Sequence, residues 1–299
     1  MALLMKGQSY KDRYKKGVLR YTFPVQVEEK RDEIRAHFRL VRCTDSGKPV
    51  SCEVVSYAGK PLYNLGKQCE WMYSVLLREG LNELDCGVEV NGSYDDTYRY
   101  VRTKKGIPEG LENAEVVVLL FDIPEMDEPY GTRIGAMLGI IKRACRQLEF
   151  HRPNGWLAYS EAEVDVIYGH VRSKGLEGVM VKTLDHKYER ARSWSWFKRK
   201  PSETHDGQIE GFVQAVCGKD QPEKGLKAGQ LLPRIGAVVL RLEDCSTATP
   251  HGIPHALGED MLHNPNKYMG QWAEFTCMER DRQGGYRHPV FKRLREAKA

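Results

Sequence analysis

The chain has 299 residues, 41% of them hydrophobic and 29% charged, and a formal net charge of +5. This composition is typical of a globular protein with a hydrophobic core. No apolar run reaches the length of a membrane-spanning helix, so an integral membrane protein built from helices is excluded. The eight cysteines include no C-x-x-C pair, which argues against a thiolate zinc site and predicts reduced thiols in the cytoplasm.

Residues 21–200 read as strands interrupted by helices. In chain order, period-two or continuous apolar patterns predict strands at "YTFPVQVEEK", "CEVVSY", "LDCGVEV", "AEVVVLLFDIP", "EGVMVKT" and "SWSWFKRKP". Helices are predicted at "LGKQCEWMYSVLLREG", "TRIGAMLGIIKRACRQL" and "SEAEVDVIYGHVRSKG". The second helix carries an apolar stripe at Ile134, Leu138, Ile141, Cys145 and Leu148. The third begins with Ser160 and Glu163, a capping-box pair.

The character of the chain changes after "KPSETHDG", where short β-rich segments alternate with Gly, Pro and Asp clusters. We therefore predict a mixed α+β domain over residues 1–203 and a small all-β domain over residues 204–299. A sheet of this size hides its edges best by closing into a barrel.

Basic residues are concentrated at the start of the chain and again around residues 172–200. Residues 1–20 contain Lys6, Lys11, Arg13, Lys15, Lys16 and Arg20 against the single acid Asp12. Such runs are usually solvated surface, but clustered Lys and Arg also favour a polyanionic partner because they neutralise phosphates.

Lys30 is the first candidate for chemistry. It ends a predicted strand in "VEEKRDEIR", with Asp32 and Arg35 on the turn that follows. A neutral lysine amine is a good nucleophile toward phosphorus, and the two neighbours would lie within reach of ribose, metal or phosphate. Taken alone, the same spacing also fits a surface ion cluster.

Two later segments carry further candidates. In "LEGVMVKT", Glu177 and Lys182 stand at the ends of a short strand, where they fit either a salt bridge or a magnesium ligand beside a phosphate-binding cation. In "SWSWFKRKP", period-two alternation predicts Trp194, Trp196, Lys198 and Lys200 on one face, which favours phosphate contacts by the two lysines. The alternative is core aromatics with lysines at an exposed strand end.

The order of these motifs along the chain is more specific than any one of them. It resembles the covalent nucleotidyltransferases, specifically the ATP-dependent DNA ligases, with the closest likeness to the short two-domain ligases of podovirus-type bacteriophages. The resemblance runs from about Val25 to about Arg293. It is carried by "EEKRDEIR", "VNGSYDDTYRYVRTKKG", "LEGVMVKT", "SWSWFKRKPSETHDG" and "GGYRHPVFKRLREAK".

The resemblance implies a nucleotidyltransferase (adenylation) domain of antiparallel sheets and helices, followed by a small OB-fold β-barrel. It implies that Lys30 becomes adenylated, that Glu28 reads the adenine amino group and that Arg35 contacts ribose or the nick phosphate. Further implied roles are adenine stacking by Phe121 and Met180, metal binding by Glu177, phosphate binding by Lys182, Lys198 and Lys200, and orientation of pyrophosphate by Arg295 and Lys298.

Two positions depart from the family pattern. Glu33 stands where K-x-D-G has glycine, and Gly87 stands where D-G-E has glutamate. Glu89, two residues after Gly87 on the same strand face, is the candidate to replace that carboxylate at the metal. We expect the Glu33 side chain to point away from the triphosphate, because like charges there would repel.

The sequence thus predicts a monomeric, cytoplasmic ATP-dependent DNA ligase that uses ATP and magnesium, acts on nicked duplex DNA and does not associate with membranes. An RNA ligase of the same superfamily is the alternative within the enzyme class. A catalytically impaired nucleic-acid-binding relative is the alternative outside it, favoured by Glu33 and Gly87.

Overall fold

The computed structural model describes residues 4–144, 149–278, 280 and 284–295. The chain divides into two compact units, Met1–Arg199 and Lys200–Ala299. Both combine strands with helices, so the predicted α+β class is confirmed. Among the described residues, no helix is long and apolar enough to cross a membrane.

The first unit contains two five-stranded sheets and a short hairpin. Its strands are β1 (Lys6–Ser9), β2 (Tyr14–Lys15), β3 (Val18–Leu19), β4 (Val25–Lys30), β5 (Ile34–Arg42), β6 (Pro49–Ser56), β7 (Glu83–Val90), β8 (Val116–Asp122), β9 (Glu149–His151), β10 (Gly155–Ala158), β11 (Gly178–Thr183) and β12 (Arg192–Arg199). Its helices are α1 (Gly66–Glu79), α2 (Tyr94–Arg102), α3 (Tyr130–Ala144) and α4 (Glu161–Ser173).

The first sheet has the strand order β1-β12-β11-β4-β10, with β1 parallel to β12 and the other neighbours antiparallel. One face is apolar and packs against α4 through Val27, Val181, Phe197 and Val164. Since side chains alternate along a strand, the residues between these core positions point to the opposite face. That opposite face carries the candidate site.

The second sheet has the order β6-β5-β7-β8-β9, with β8 parallel to β9 and the rest antiparallel. Alternate residues such as Phe38, Cys86 and Leu120 pack against the helices in the largest hydrophobic core. The residues between them, among them Arg35 and Gly87, point the other way, toward the polar face of the first sheet.

Two predicted helix ends, the end of α1 and the start of α4, are confirmed by their capping groups. Gly80 ends α1 in the left-handed region with a φ of 68°, a conformation that glycine adopts without strain. At the start of α4, the backbone N–H of Glu163 donates to Ser160 Oγ at 3.3 Å, as the capping box predicts.

The predicted apolar stripe of α3 is only partly confirmed: Ile134 and Ile141 pack against the core, whereas Leu138 is 53% exposed. The fully buried residues of that helix are Tyr130, Arg133, Met137, Ile140 and Ala144. The observed stripe has helical spacing, but it includes a phenol and a guanidinium, which an apolar count overlooks. Two other stripe positions, Cys145 and Leu148, lie outside the described residues.

The predicted single face of the β12 segment is also wrong. The pairing of β1 with β12 is irregular, since Gly7 pairs with Ser193 and the next residue pairs with Phe197. Trp196 is buried, whereas Trp194 is 43% exposed and packs near Phe197, on the other side of the sheet. A break in strand alternation changes the face of every residue on one side of it.

The second unit is built on a five-stranded sheet. Its elements are β13 (Glu203–Val216), β14 (Leu231–Arg241), β15 (Thr247–Ala248), α5 (His255–His263), α6 (Pro265–Tyr268), β16 (Trp272–Cys277) and β17 (Val290–Leu294). The strand order is β15-β14-β13-β16-β17. His251 bridges to Ala237 on β14 and to Val290 on β17, so the two sides of the sheet meet there, as in a small barrel. The two helices correct the prediction of an all-β unit.

Candidate functional site

Strand register brings the predicted residues of the first sheet into adjacent rows on its polar face. Glu28 on β4 lies opposite Met180 on β11, which lies opposite Lys198 on β12. The neighbouring rows contain Lys30 with Gly178, and Gln26 with Lys182 and Trp196. Three segments distant in sequence therefore present one continuous surface to the second sheet.

Lys30 lies at the end of β4, where its Nζ atom donates a hydrogen bond to the carboxylate of Glu177. The side chain of Lys30 is 17% exposed and that of Glu177 is 4% exposed. Burial by itself lowers the pKa of Lys30, but the carboxylates of Glu33 and Glu177 outweigh it, so the net pKa lies above the ordinary value. Lys30 is therefore an ammonium in this arrangement and must lose a proton before it can attack phosphorus.

Glu28 is buried two residues before Lys30 in a network of three donors. Its carboxylate accepts from Tyr130 Oη at 2.5 Å and from Arg152 Nη2 at 2.6 Å, and it lies 2.7 Å from Lys182 Nζ. Burial raises the pKa of Glu28, but the cations of Lys182 and Arg152 lower it by more, so the net pKa is below the ordinary value. A charged carboxylate is thus held rigidly at the floor of the site.

A second buried ion pair helps to hold the residues of that network in place. Arg133 on α3 donates to both oxygens of Asp122 at 2.6 and 3.0 Å, and both side chains are fully buried. Arg133 also donates to the carbonyl of His186, whose ring accepts from Trp196 Nε1 at 2.8 Å. These contacts hold α3, and with it Tyr130, against the sheet.

Sequence reasoning missed Tyr130, Arg133 and Arg152. The signal for the first two was the 3.6-residue stripe that begins at Tyr130, provided that long polar side chains count as buried. Arg152 follows β9 and has no distinctive spacing, so its approach to Glu28 depends on tertiary packing alone.

Arg35 and Phe121 lie on the facing sheet. Arg35 forms a bidentate salt bridge with the fully buried Asp85, and Tyr188 Oη donates to the same carboxylate at 2.6 Å. The guanidinium carbon of Arg35 lies 5.2 Å from the centre of the Phe121 ring. The carbonyl of Phe121 accepts from Lys182 Nζ at 3.4 Å, which links the two sheets next to Glu28.

Glu33 points into this site rather than away from it. A Cβ atom at Gly87 would lie 2.4 Å from Glu33 Cγ and 2.6 Å from Phe121 Cζ, so the Glu33 side chain lies across the glycine beside the aromatic ring. Burial raises the pKa of Glu33, and its charge in turn raises the pKa of Lys30. The expected outward orientation of Glu33 is therefore wrong, because the absence of a side chain at Gly87 leaves room for it.

The candidate metal ligands differ in their present partners. Both oxygens of Glu89 accept from Arg31, at 2.5 and 2.9 Å, and the carboxylate is buried. Glu177 is held at Lys30, and Asp32 lies close enough to Lys30 to raise its pKa. Carboxylate oxygens are the ligands that Mg²⁺ prefers, so all three residues fit the ion by ligand type. Glu177 would first have to leave Lys30, and Glu89 would first have to leave Arg31.

Comparison with known proteins finds similarity to DNA ligases. A family model described as "ATP dependent DNA ligase domain" matches residues 93–200. The DNA ligase of Escherichia phage T7 is 25% identical over an alignment of 203 residues that covers 63% of this chain and 54% of that protein. Residues 93–200 are therefore similar to an ATP-dependent DNA ligase domain.

Solved ligase structures share the fold of the whole chain. The structure named Pmar-Lig_Pre has a TM-score of 0.74 at 19% identity, covering 99% of this chain and 68% of the other. A Lig E DNA ligase has a TM-score of 0.68 at 18% identity, covering 98% of both chains. The present chain spans about half the length of the curated T7 relative.

The match to the ligase domain includes Phe121, Glu177, Met180, Lys182 and Lys198, and it ends at Lys200. Met180 and Lys198 are partly buried neighbours across β11 and β12. Lys200 is the first residue of the second unit, where its Nζ lies 3.2 Å from Met278 Sδ.

The C-terminal candidates lie beyond the matched residues. Arg295 pairs within the second unit, with Asp206 at 3.1 Å and Glu274 at 2.8 Å. Lys298 lies outside the described residues.

Proposed function

We propose that this chain is an ATP-dependent DNA ligase that seals nicks in duplex DNA through a lysyl-AMP intermediate on Lys30. The observation that carries the proposal is the position of Lys30. It lies at the rim of a polar face on which Glu28, Met180, Lys182 and Lys198 converge from three strands. The match to the ligase domain supports the same reaction class.

In the first step, the neutral Nζ of Lys30 attacks the α-phosphorus of ATP, a phosphoramidate forms and pyrophosphate leaves. Lys30 must first release its proton and its contact with Glu177. The triphosphate, bound beside Lys182 and Lys198, competes with the carboxylates of the site for its cations. Its binding there also orients the α-phosphorus.

The second and third steps transfer the adenylate. An oxygen of the 5′-phosphate at the nick attacks the phosphorus of lysyl-AMP, and Lys30 leaves as the amine. The 3′-hydroxyl then attacks the 5′-phosphate, the new phosphodiester forms and AMP leaves. Glu28 would read the exocyclic amine of adenine, with Phe121 and Met180 against the two faces of the base.

Magnesium neutralises phosphate charge in such transfers. Glu177, Glu89 and Asp32 are the residues that would hold it, after Glu177 has left Lys30 and Glu89 has left Arg31. Arg35 would contact ribose or the nick phosphate, and Lys200 would bind phosphate. Arg295 and Lys298 would act on phosphate from the second domain. In this proposal residues 1–203 are the adenylation domain and residues 204–299 an OB-fold that binds DNA, and the protein works as a cytoplasmic monomer.

Self-adenylation tests the proposal directly. The purified protein is incubated with α-labelled ATP and magnesium, and covalent label is read on a denaturing gel and by intact mass. We expect a labelled protein that seals nicked DNA, and no label on Lys30→Arg, which keeps a cation for Glu177. Label on Lys30→Arg would overturn the nucleophile, and the absence of label on the parent protein would indicate a non-catalytic binder.

The same labelled protein separates the two enzyme alternatives. Transfer of the label to the 5′-phosphate is compared on nicked DNA and on nicked RNA duplexes of the same sequence. Preferred transfer to the DNA substrate is the expected result, and preferred transfer to RNA would indicate an RNA ligase.

A further inference from the structure

Three side chains with metal-binding chemistry meet in the second unit. Glu203 and His205 lie two residues apart on β13, and Cys277 ends β16. Glu203 pairs across the strands with Cys277, and His205 pairs with Phe275. Since alternate residues share a face, the three side chains project together.

The distances fit a metal site. One ligand atom from each of Glu203, His205 and Cys277 lies within 4.8 Å of the other two. With zinc bonds of roughly 2.0–2.3 Å, ligand atoms in a tetrahedral site stand about 3.5 Å apart. The hydrogen bonds between the two strands already fix the backbone positions. Small side-chain rotations would therefore bring the three ligand atoms to the tetrahedral spacing.

The immediate surroundings hold the ligands in place. The His205 ring packs against Phe275 and Tyr286, with ring centres 5.6 and 5.1 Å away, and its Nε2 lies 3.2 Å from Glu203 Oε2. Cys277 is 4% exposed, whereas the side chain of Glu203 is 50% exposed. The thiol is thus shielded, and the carboxylate leaves an approach from solvent.

The charges also favour a divalent cation. Metal binding would displace the proton of the Cys277 thiol, and the resulting thiolate and the Glu203 carboxylate would carry two negative charges, which one divalent ion neutralises. Arg280, the cation that acts on Cys277 electrostatically, is itself paired with Asp244 and donates to Tyr286 Oη at 2.6 Å. Its charge is therefore already compensated.

We infer that Glu203, His205 and Cys277 bind a zinc ion, with water in the fourth position. Thiolate, imidazole and carboxylate are the three protein ligand types of zinc, and a soft thiolate disfavours magnesium and calcium. The ion would join β13 to β16 and stabilise the second unit. The sequence did not predict this site, because its ligands come from strands far apart in sequence and form no C-x-x-C pair.

Cobalt substitution tests the metal site independently of any DNA-joining activity. The full chain is stripped of metal, titrated with Co²⁺ under reducing conditions and followed by absorbance, since cobalt bound to a thiolate gives a strong near-ultraviolet charge-transfer band. We expect saturable binding of one ion, loss of the band when Zn²⁺ is added, and a higher melting temperature with Zn²⁺. Absence of a saturable band would overturn the inference.

Matched variants assign the ligands. Cys277→Ser is expected to abolish the charge-transfer band, and Cys245→Ser, which alters an exposed cysteine of the same unit, is expected to keep it. His205→Gln is the second test, since its partly exposed position makes unfolding of the variant less of a concern. It should weaken Co²⁺ affinity at least tenfold while circular dichroism stays unchanged. Retention of parent affinity in a folded Cys277→Ser or His205→Gln protein would contradict the site.

Discussion

At the scale of single residues, the two departures from the ligase pattern turn out to be neighbours. Glu33 replaces a glycine and Gly87 replaces a glutamate, and the Glu33 side chain lies over the bare Cα of Gly87. The site therefore keeps a carboxylate in this region, but brings it from the turn before β5 rather than from β7. The same exchange places that carboxylate beside Lys30 and Phe121.

The first prediction concerns Gly87→Ala. The new methyl group would lie 2.4 Å from Glu33 Cγ and 2.6 Å from Phe121 Cζ, so the aromatic ring must move. We expect overpacking to cost about 1–3 kcal/mol in unfolding free energy and self-adenylation to slow several-fold, because Phe121 is the proposed adenine contact. Urea unfolding and single-turnover adenylation measure the two effects.

Gly135→Ala is the matched control, because a Cβ there, on α3, meets no atom within 4 Å. It should leave adenylation unchanged and raise stability by up to about 1 kcal/mol. Equal behaviour of the two variants would show that the space above Gly87 is not restricted.

The second prediction concerns the charge of Glu33. Glu33→Gln keeps the shape of the side chain but removes a charge that raises the pKa of Lys30 and repels a triphosphate. A repulsion of roughly 1 kcal/mol corresponds to about fivefold in rate, so we expect faster self-adenylation, most clearly at low magnesium. Single-turnover rates across a magnesium series measure it, with Glu33→Gly as the companion variant. Slower adenylation by both variants would mean that the carboxylate binds the substrate.

At the scale of elements, the buried polar groups of α3 and of the segment between β11 and β12 position the site. Arg133 links the helix to Asp122 and to the carbonyl of His186, and His186 links that segment to Trp196. Burial, together with the nearby cations of Arg133 and Lys182, lowers the pKa of His186 to about 4, so its ring is neutral at physiological pH.

The third prediction follows from that depressed pKa. The unfolded chain binds a proton at His186 near pH 6.5, while the folded chain does so near pH 4, so the unfolded state binds more protons between these values. Stability should therefore be fully present above pH 6.5 and fall as the pH drops toward 4, by roughly 3 kcal/mol from this group. Urea unfolding at several pH values measures the slope.

His186→Gln serves as the comparison, since it cannot titrate. It should be less stable at pH 7 but show a shallower loss of stability between pH 6.5 and pH 4. An identical slope in the two proteins would assign the acid sensitivity to carboxylates instead.

At the scale of the whole molecule, charge distribution bears on DNA binding. The basic segment at residues 11–20 is not uniform: Arg13 is anchored to Glu161 at 2.6 Å and packs over Tyr10, whereas Lys15 and Lys16 are exposed. The exposed lysines are thus the members of the segment whose replacement tests phosphate contact without disturbing packing.

The fourth prediction uses that distinction. Replacement of Lys15 and Lys16 by glutamine should weaken binding to nicked DNA and make the slope of log affinity against log salt shallower by about 2, one unit per lost phosphate contact. Fluorescence anisotropy at several salt concentrations measures the slope. The matched control is glutamine at Lys104 and Lys105, two exposed lysines of the first unit outside this segment. An unchanged slope in the first variant would place residues 15 and 16 outside the interface.

Much of the site could be predicted from the sequence, because the resemblance to the ligases implied roles for Glu28, Lys30, Met180 and Lys182. Each pair occupies alternate positions on its strand, and the structure places all four on the same polar surface. Where alternation broke, at Trp194, the prediction failed, because an irregular strand pairing is set by the neighbouring strand rather than by the segment itself.

What the sequence by itself determined was therefore local: which segments form strands and helices, which faces are apolar, and the order of motifs that resembles the ligases. Tertiary structure alone decided the partners, since Tyr130 and Arg152 reach Glu28 from 102 and 124 residues away. It also decided that Glu33 fills the space above Gly87, and that Cys277 meets Glu203 and His205. The physical reason is that hydrogen-bonded register and packing fix which distant side chains meet, and neither is encoded in the spacing of residues within one segment.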